Sequence, residues 1–117
     1  MKHSDQVILQ KIIYYCNEID MLMNRFGKSQ EAYEQDRAYQ YAVSTCIVQI
    51  GELVARLTEE TLAANDSIPW RAIRGMRNIY VHDYEKTKYK TIWQTMTEDI
   101  PALRRQLLEL LDQDKES

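Results

Sequence analysis

Tyr39 to Leu57 reads YQYAVSTCIVQIGELVARL. Within it Tyr39, Val43, Cys46, Ile50, Leu53 and Leu57 recur at alternating steps of four and three, which puts them on one side of an α-helix. No proline interrupts the chain from Gln30 to Thr61, and Ser29 is placed to cap the helix start, so the spacing predicts one long helix from about Gln30. Gly51 lies inside it, where glycine costs about 1 kcal/mol relative to alanine. Close approach of another helix, in the same chain or a second one, would account for it.

Upstream, Ile8, Ile12, Tyr15, Ile19, Leu22 and Phe26 form a second stripe of the same spacing. Ser4 is placed to cap that helix, with Asp5 in its first turn and Gly27 at its end. Two such stripes joined by a short turn predict an antiparallel helical hairpin. His3 precedes the expected cap and is assigned no role.

Downstream, the pattern fades from Thr58 to Ser67, which reads as a loop with a ragged helical turn near Thr61 to Ala64. Asp66 or Ser67 is placed to cap a third helix, with Pro69 in its first turn and Trp70 and Ile73 on its apolar side. That helix is expected to end near Val81. Ile92, Trp93 and Met96 mark a fourth segment. Asp99 and Pro101 open a fifth, carried by Leu103, Leu107, Leu110 and Leu111. Positions 92, 96, 100, 103 and 107 also make one stripe through Pro101, so a single kinked helix is the alternative. The fold class expected is all-α, a bundle of four or five helices.

The chain has 117 residues, which predicts a single domain over 1–117. Three Gly and two Pro leave few turns, which favours long helices over many strands. The net charge of −3 excludes general charge-driven binding to nucleic acid, so any RNA contact needs a local basic patch. Cys16 and Cys46 stand in apolar helical patterns with no CxxC or Cys/His cluster, and read as buried fill. The start, MKHSDQ, is not a signal peptide. Tyr41 to Leu57 carries too many polar residues to span a membrane, and the simplest address is the cytoplasm. No cofactor or metal is expected. A di-metal carboxylate bundle would need Glu-x-x-His pairs, which are absent from the sequence.

The chemistry concentrates in Arg74 to Lys86, RGMRNIYVHDYEK. His82 moves protons near neutral pH, because its unperturbed pKa is about 6.5. Arg77 presents a planar, permanently charged fork that fits a phosphate. The two are a minimal kit for breaking a phosphodiester without a metal. They lie five positions apart, about 140° around an ideal helix. His82 must therefore sit at or just past the helix end, or the two groups must meet across a symmetric dimer. Arg71, Arg74 and Arg77 recur every third residue and form one basic stripe. From the charges alone the stripe reads as a solvated helix face; only the adjacent motif favours RNA contact.

The pattern Arg77-x4-His82-x-Tyr84 resembles the signature of the HEPN superfamily, and most closely its HepT branch, the toxins of HepT/MntA toxin–antitoxin systems. Asn78 fills the polar place after the arginine. Trp70, Gly75 and Met76 precede the motif, Gly51-Glu52-Leu53 lies upstream, and Trp93 and Asp99-Ile100-Pro101 follow. The resemblance implies a HEPN-like helical bundle with the activity of a metal-independent endoribonuclease, the toxin of a type VII-like pair. Arg77 would bind the phosphate and His82 would act as general acid or base. Asn78, Asp83 and Tyr84 would support them, although Asp83, adjacent to His82 and so pointing in another direction, reads by itself as exposed, and Arg71 and Arg74 would touch RNA. Tyr84 would be the residue to which an MntA-like nucleotidyltransferase antitoxin transfers AMP. The partners implied are RNA, that antitoxin and a second copy in a homodimer, with a larger hetero-complex open. A plainer reading of each group is structural: a helix-end hydrogen bond for His82, and a surface salt bridge from Arg77 to Asp83 or Glu85. A different class of function, a non-catalytic helical module that pairs with a nucleotidyltransferase or RNA, would use the same fold without turnover.

Overall fold

The structure, a computed structural model, describes residues 1–82 and 88–116, with the backbone alone for 79–82 and 116. Among the described residues every regular element is helical: α1 (His3–Phe26), α2 (Gln30–Gln35), α3 (Arg37–Val54), α4 (Glu59–Ala64), α5 (Trp70–His82), α6 (Tyr89–Gln94), a π turn (Thr95–Asp99) and α7 (Ile100–Glu116). The all-α bundle expected from the stripes is what the chain forms. α3 runs through its centre, packed on α1 along one side and on α5 along another. α7 covers α1, and α2 covers α6. All six residues of the Tyr39–Leu57 stripe are buried, with Ile47 and Val54 added to them.

α1 begins one residue before Ser4, at His3, and Lys2 flanks it without a side-chain cap, so Ser4 is not the cap expected. Asp5 does more than favour the first turn. It is buried, and its Oδ2 accepts from the Thr58 and Thr61 hydroxyls at 2.6 Å each while Oδ1 accepts from the Thr58 N–H at 3.3 Å. Burial alone would raise this carboxyl; the donations from Thr58 and Thr61 outweigh it and hold the pKa below its ordinary value. Asp5 thereby ties the start of α1 to the start of α4. Gly27 ends α1 as expected, at φ 125°, a backbone region that favours glycine.

The long second helix is broken. Ser29 caps α2 by accepting from the Ala32 N–H, but α2 stops at Gln35. Asp36 is extended, and its Oδ1 accepts from the Ala38 and Tyr39 N–H groups, capping α3 afresh. The buried Gln40 amide donates to the Tyr33 and Glu34 carbonyls and braces the joint. Tyr33 and Tyr39 fill the core beside this joint with their rings edge-on, and Tyr39 Oη donates to the Gly27 carbonyl at 3.0 Å. Tyr41 points the other way and is 59% exposed.

The expected loop after Thr58 holds a short helix, α4, capped by the Thr58 hydroxyl. α5 starts at Trp70, directly after Pro69, whose carbonyl accepts from the Ile73 N–H. Asp66 and Ser67 therefore do not cap it, and Pro69 precedes the first turn. Trp70 Nε1–H donates to the Asn65 carbonyl at 3.0 Å and anchors the entry.

Of the two readings at Pro101, the continuous one holds. α6 passes into α7 through the π turn, where the Ile100 N–H reaches back five residues to the Thr95 carbonyl. Proline has no N–H, and its ring would crowd the carbonyl four residues earlier. A widened turn at this point relieves both. Asp99 lies within the turn and caps nothing. Ile92, Met96, Ile100, Leu103 and Leu107 are all buried along the joined stripe. No helix among the described residues is long and apolar enough to cross a membrane. Cys16 and Cys46 are free and buried, in keeping with their reading as fill.

Candidate active site

α5 carries the candidate residues because its two faces differ. Ile73 is buried and Met76 half-buried against the core. Arg71, Arg74, Arg77 and Asn78 are all exposed. The basic stripe is thus a real surface feature of the helix.

Where α5 crosses α3, the two backbones come close. A Cβ built on Gly51 would stand 3.0 Å from the Arg77 Cβ and 3.4 Å from the Arg74 carbonyl oxygen. Close approach within the same chain is therefore the reason for glycine inside α3. The next residue, Glu52, meets the arginine directly: its Oε1 forms an ion pair with the Arg77 guanidinium at Nε. The salt bridge expected for Arg77 exists, but its partner in the described structure is Glu52 of α3. Asp83 and Glu85, the partners expected from sequence, lie outside the described residues. Glu52 is the site neighbour that pattern reading left without a specific role; its signals were its place beside Gly51 and within the Gly51-Glu52-Leu53 stretch of the resemblance.

α5 as described runs to His82. The His82 side chain lies outside the described residues, as do Asp83 and Tyr84 entirely. The structure therefore brings together Arg77, Glu52 and the exposed Arg71, Arg74 and Asn78. A cavity of about 210 Å3 opens beside Arg71 and Arg74, walled by Val54, Leu57, Leu62 and Trp70. Two larger cavities, of about 610 and 600 Å3, include none of the candidate residues. No cluster of three or more His, Cys, Asp or Glu side chains among the described residues is placed to hold a metal ion.

An exposed guanidinium beside exposed basic neighbours can take a phosphodiester, and Asn78 adds a neutral donor and acceptor on the next residue. Comparison with known proteins bears on what uses this surface. The chain is 33% identical over 103 residues to "Putative RNase TTE0752" of Caldanaerobacter subterraneus subsp. tengcongensis, covering 87% of this chain and 92% of that one. It is 28% identical over 113 residues to "Putative RNase MJ1216" of Methanocaldococcus jannaschii, covering 94% and 89%. It is 32% identical over 69 residues to "Probable ribonuclease HepT" of Thermococcus cleftensis, covering 59% and 63%. No solved structure matches it. The family model described as "Ribonuclease HepT-like" matches residues 12–110, which include all of α3 and α5 and with them Glu52, Arg77 and His82. By that match, and by its likeness to the thermophile protein over nearly the full length of both, the chain belongs to the HepT-like ribonuclease family.

Proposed function

We propose that the chain is a metal-independent endoribonuclease whose working residues are Arg77 and His82, and that it is the toxin of a toxin–antitoxin pair. The observation that carries the reading is the exposed α5 surface: Arg71, Arg74, Arg77 and Asn78 all face solvent on the helix that carries His82. Membership of a ribonuclease family supports RNA as the substrate.

In the reaction, the ribose 2′-oxygen attacks the adjacent phosphorus and the bond to the 5′-oxygen breaks. One proton leaves the 2′-hydroxyl and one joins the departing 5′-oxygen. The products are a 2′,3′-cyclic phosphate and a 5′-hydroxyl. His82 serves one of these transfers, and Arg77 binds the phosphate and neutralises the charge that builds on it. Asn78 helps seat the phosphate, and Asp83 flanks the histidine. The chain acts in the cytoplasm as a homodimer.

Control falls on Tyr84. A nucleotidyltransferase antitoxin transfers AMP from ATP to the tyrosine oxygen, with release of pyrophosphate and the phenolic proton. The modified residue brings bulk and a phosphate charge two positions from His82, which repels an incoming RNA backbone.

The test is cleavage of a mixed cellular RNA pool in EDTA by the parent, by Arg77→Ala and by His82→Ala, after mass spectrometry has shown Tyr84 unmodified. Cleavage by the parent alone, leaving 2′,3′-cyclic phosphate ends, is the expected result. RNA binding without turnover by the folded parent would replace the enzyme with a binding module.

A further inference from the structure

Arg77 is held by a residue of another helix. Its Nε forms an ion pair with Glu52 Oε1, and the two side chains are 46% and 47% exposed. Two long side chains meeting on a surface usually contribute little. Here the backbone itself brings them together. Gly51, immediately before Glu52, packs against the Arg77 Cβ with no room to spare. The chain gives up a side chain at 51, and the next residue presents a carboxylate to the guanidinium.

A guanidinium offers five N–H donors in a fixed planar fork. One edge pairs Nε with an Nη group; the end edge pairs the two Nη groups. A carboxylate on Nε takes the first edge. We propose that Glu52 is a positioning residue for Arg77: it fixes the guanidinium through Nε so that the end edge takes the scissile phosphate. This rests on Arg77 being the phosphate-binding group of the ribonuclease proposed above.

The arrangement has two opposed effects on RNA. A fixed guanidinium meets the phosphate without having to be ordered during the reaction, which favours the transition state. A carboxylate beside the phosphate repels it, which weakens ground-state binding. Removing Glu52 therefore separates kcat from KM. A residue that only held the fold would not lower both.

The experiment compares the full chain with Glu52→Ala and Glu52→Gln in steady-state cleavage of RNA. Glu52→Ala lowers kcat by about tenfold and lowers KM as well. Glu52→Gln, which keeps an oxygen for the Nε–H without the charge, restores most of kcat and keeps the lower KM. A second readout needs no turnover: the 15N–1H signal of Arg77 Nε shifts and exchanges faster with water in Glu52→Ala. Glu52 is half-exposed, so the variants keep the parental melting curve; were Glu52→Ala to unfold, the near-isosteric Glu52→Gln would carry both readouts.

A Glu52→Ala protein that cleaves with the parental kcat, while Arg77→Ala does not, overturns the positioning role and leaves the ribonuclease standing. An Arg77 Nε signal indifferent to Glu52→Ala overturns the contact itself, whatever the protein does to RNA. A parent that cleaves no RNA removes the ribonuclease and the positioning role with it.

Discussion

Gly51 of α3 lies directly beneath Arg77 of α5, so close that an added Cβ would stand 3.0 Å from the arginine's Cβ. That Cβ belongs to the body of a packed helix and gives way only if the helix moves. Gly51→Leu is expected to push α5 off α3, at a cost of about 1–3 kcal/mol. It also draws Arg77 away from Glu52. Urea denaturation checks the first effect and RNA cleavage at saturating substrate the second; a stable, fully active Gly51→Leu protein would refute the close seam.

Gly75, two residues before Arg77 on α5, gives the opposite sign. An added Cβ there meets nothing within 4 Å among the described residues. Glycine inside a helix costs about 0.5–1 kcal/mol relative to alanine. Gly75→Ala is thus expected to raise stability by roughly that amount, read as a higher urea midpoint with an unchanged slope.

Asp5 makes stability depend on acid. Its folded pKa lies below the ordinary 3.8 because Thr58 and Thr61 donate to it more strongly than burial opposes its charge. A depressed carboxyl stabilises the fold above its unfolded value, and that contribution disappears as the pH falls through the lower folded value. Asp5→Asn keeps the shape but sets an amide against the same donors. It is expected to cost about 1–3 kcal/mol at pH 7 and to flatten the loss of stability below pH 4, as followed by thermal melts across the acid range.

The thiols should be silent in the native protein. Burial pushes Cys16 up to about 12 and Cys46 up to about 11, so neither forms an appreciable thiolate at neutral pH. Iodoacetamide at pH 8 is expected to label neither in the folded chain and both in guanidinium chloride, with mass spectrometry as the readout. Rapid native labelling of Cys46 would place it at the surface instead.

The helical stripes were legible because burial repeats with the helix period. Tyr39 through Leu57 and Ile92 through Leu107 are buried as their spacing requires. The breaks were not. Asp36 interrupts the second helix while Tyr33 and Tyr39 on either side remain buried, so no lapse in the apolar pattern marks the joint. Aspartate caps a helix with the same side chain that elsewhere is ordinary surface. The π turn hides in the same way, since steps of four residues from Ile92 to Ile100 suit a widened turn as well as an ordinary one. At the candidate site, Arg77 and Asn78 were legible from their motif. Glu52 was not, because its meeting with Arg77 depends on how α3 and α5 cross and not on any spacing along one helix.

That crossing also sets when the surface comes into being. Chains emerge from the ribosome N-terminus first and their parts fold in that order. α1 and α3 are both synthesised before Trp70 is added. A chain stopped there holds Glu52 facing solvent with no guanidinium to meet it. Arg77 arrives only with the docking of α5, in the second half of synthesis. The cell that makes such a protein is surrounded by its own messenger and ribosomal RNA, and the part of the molecule that would meet that RNA is among the last to be assembled.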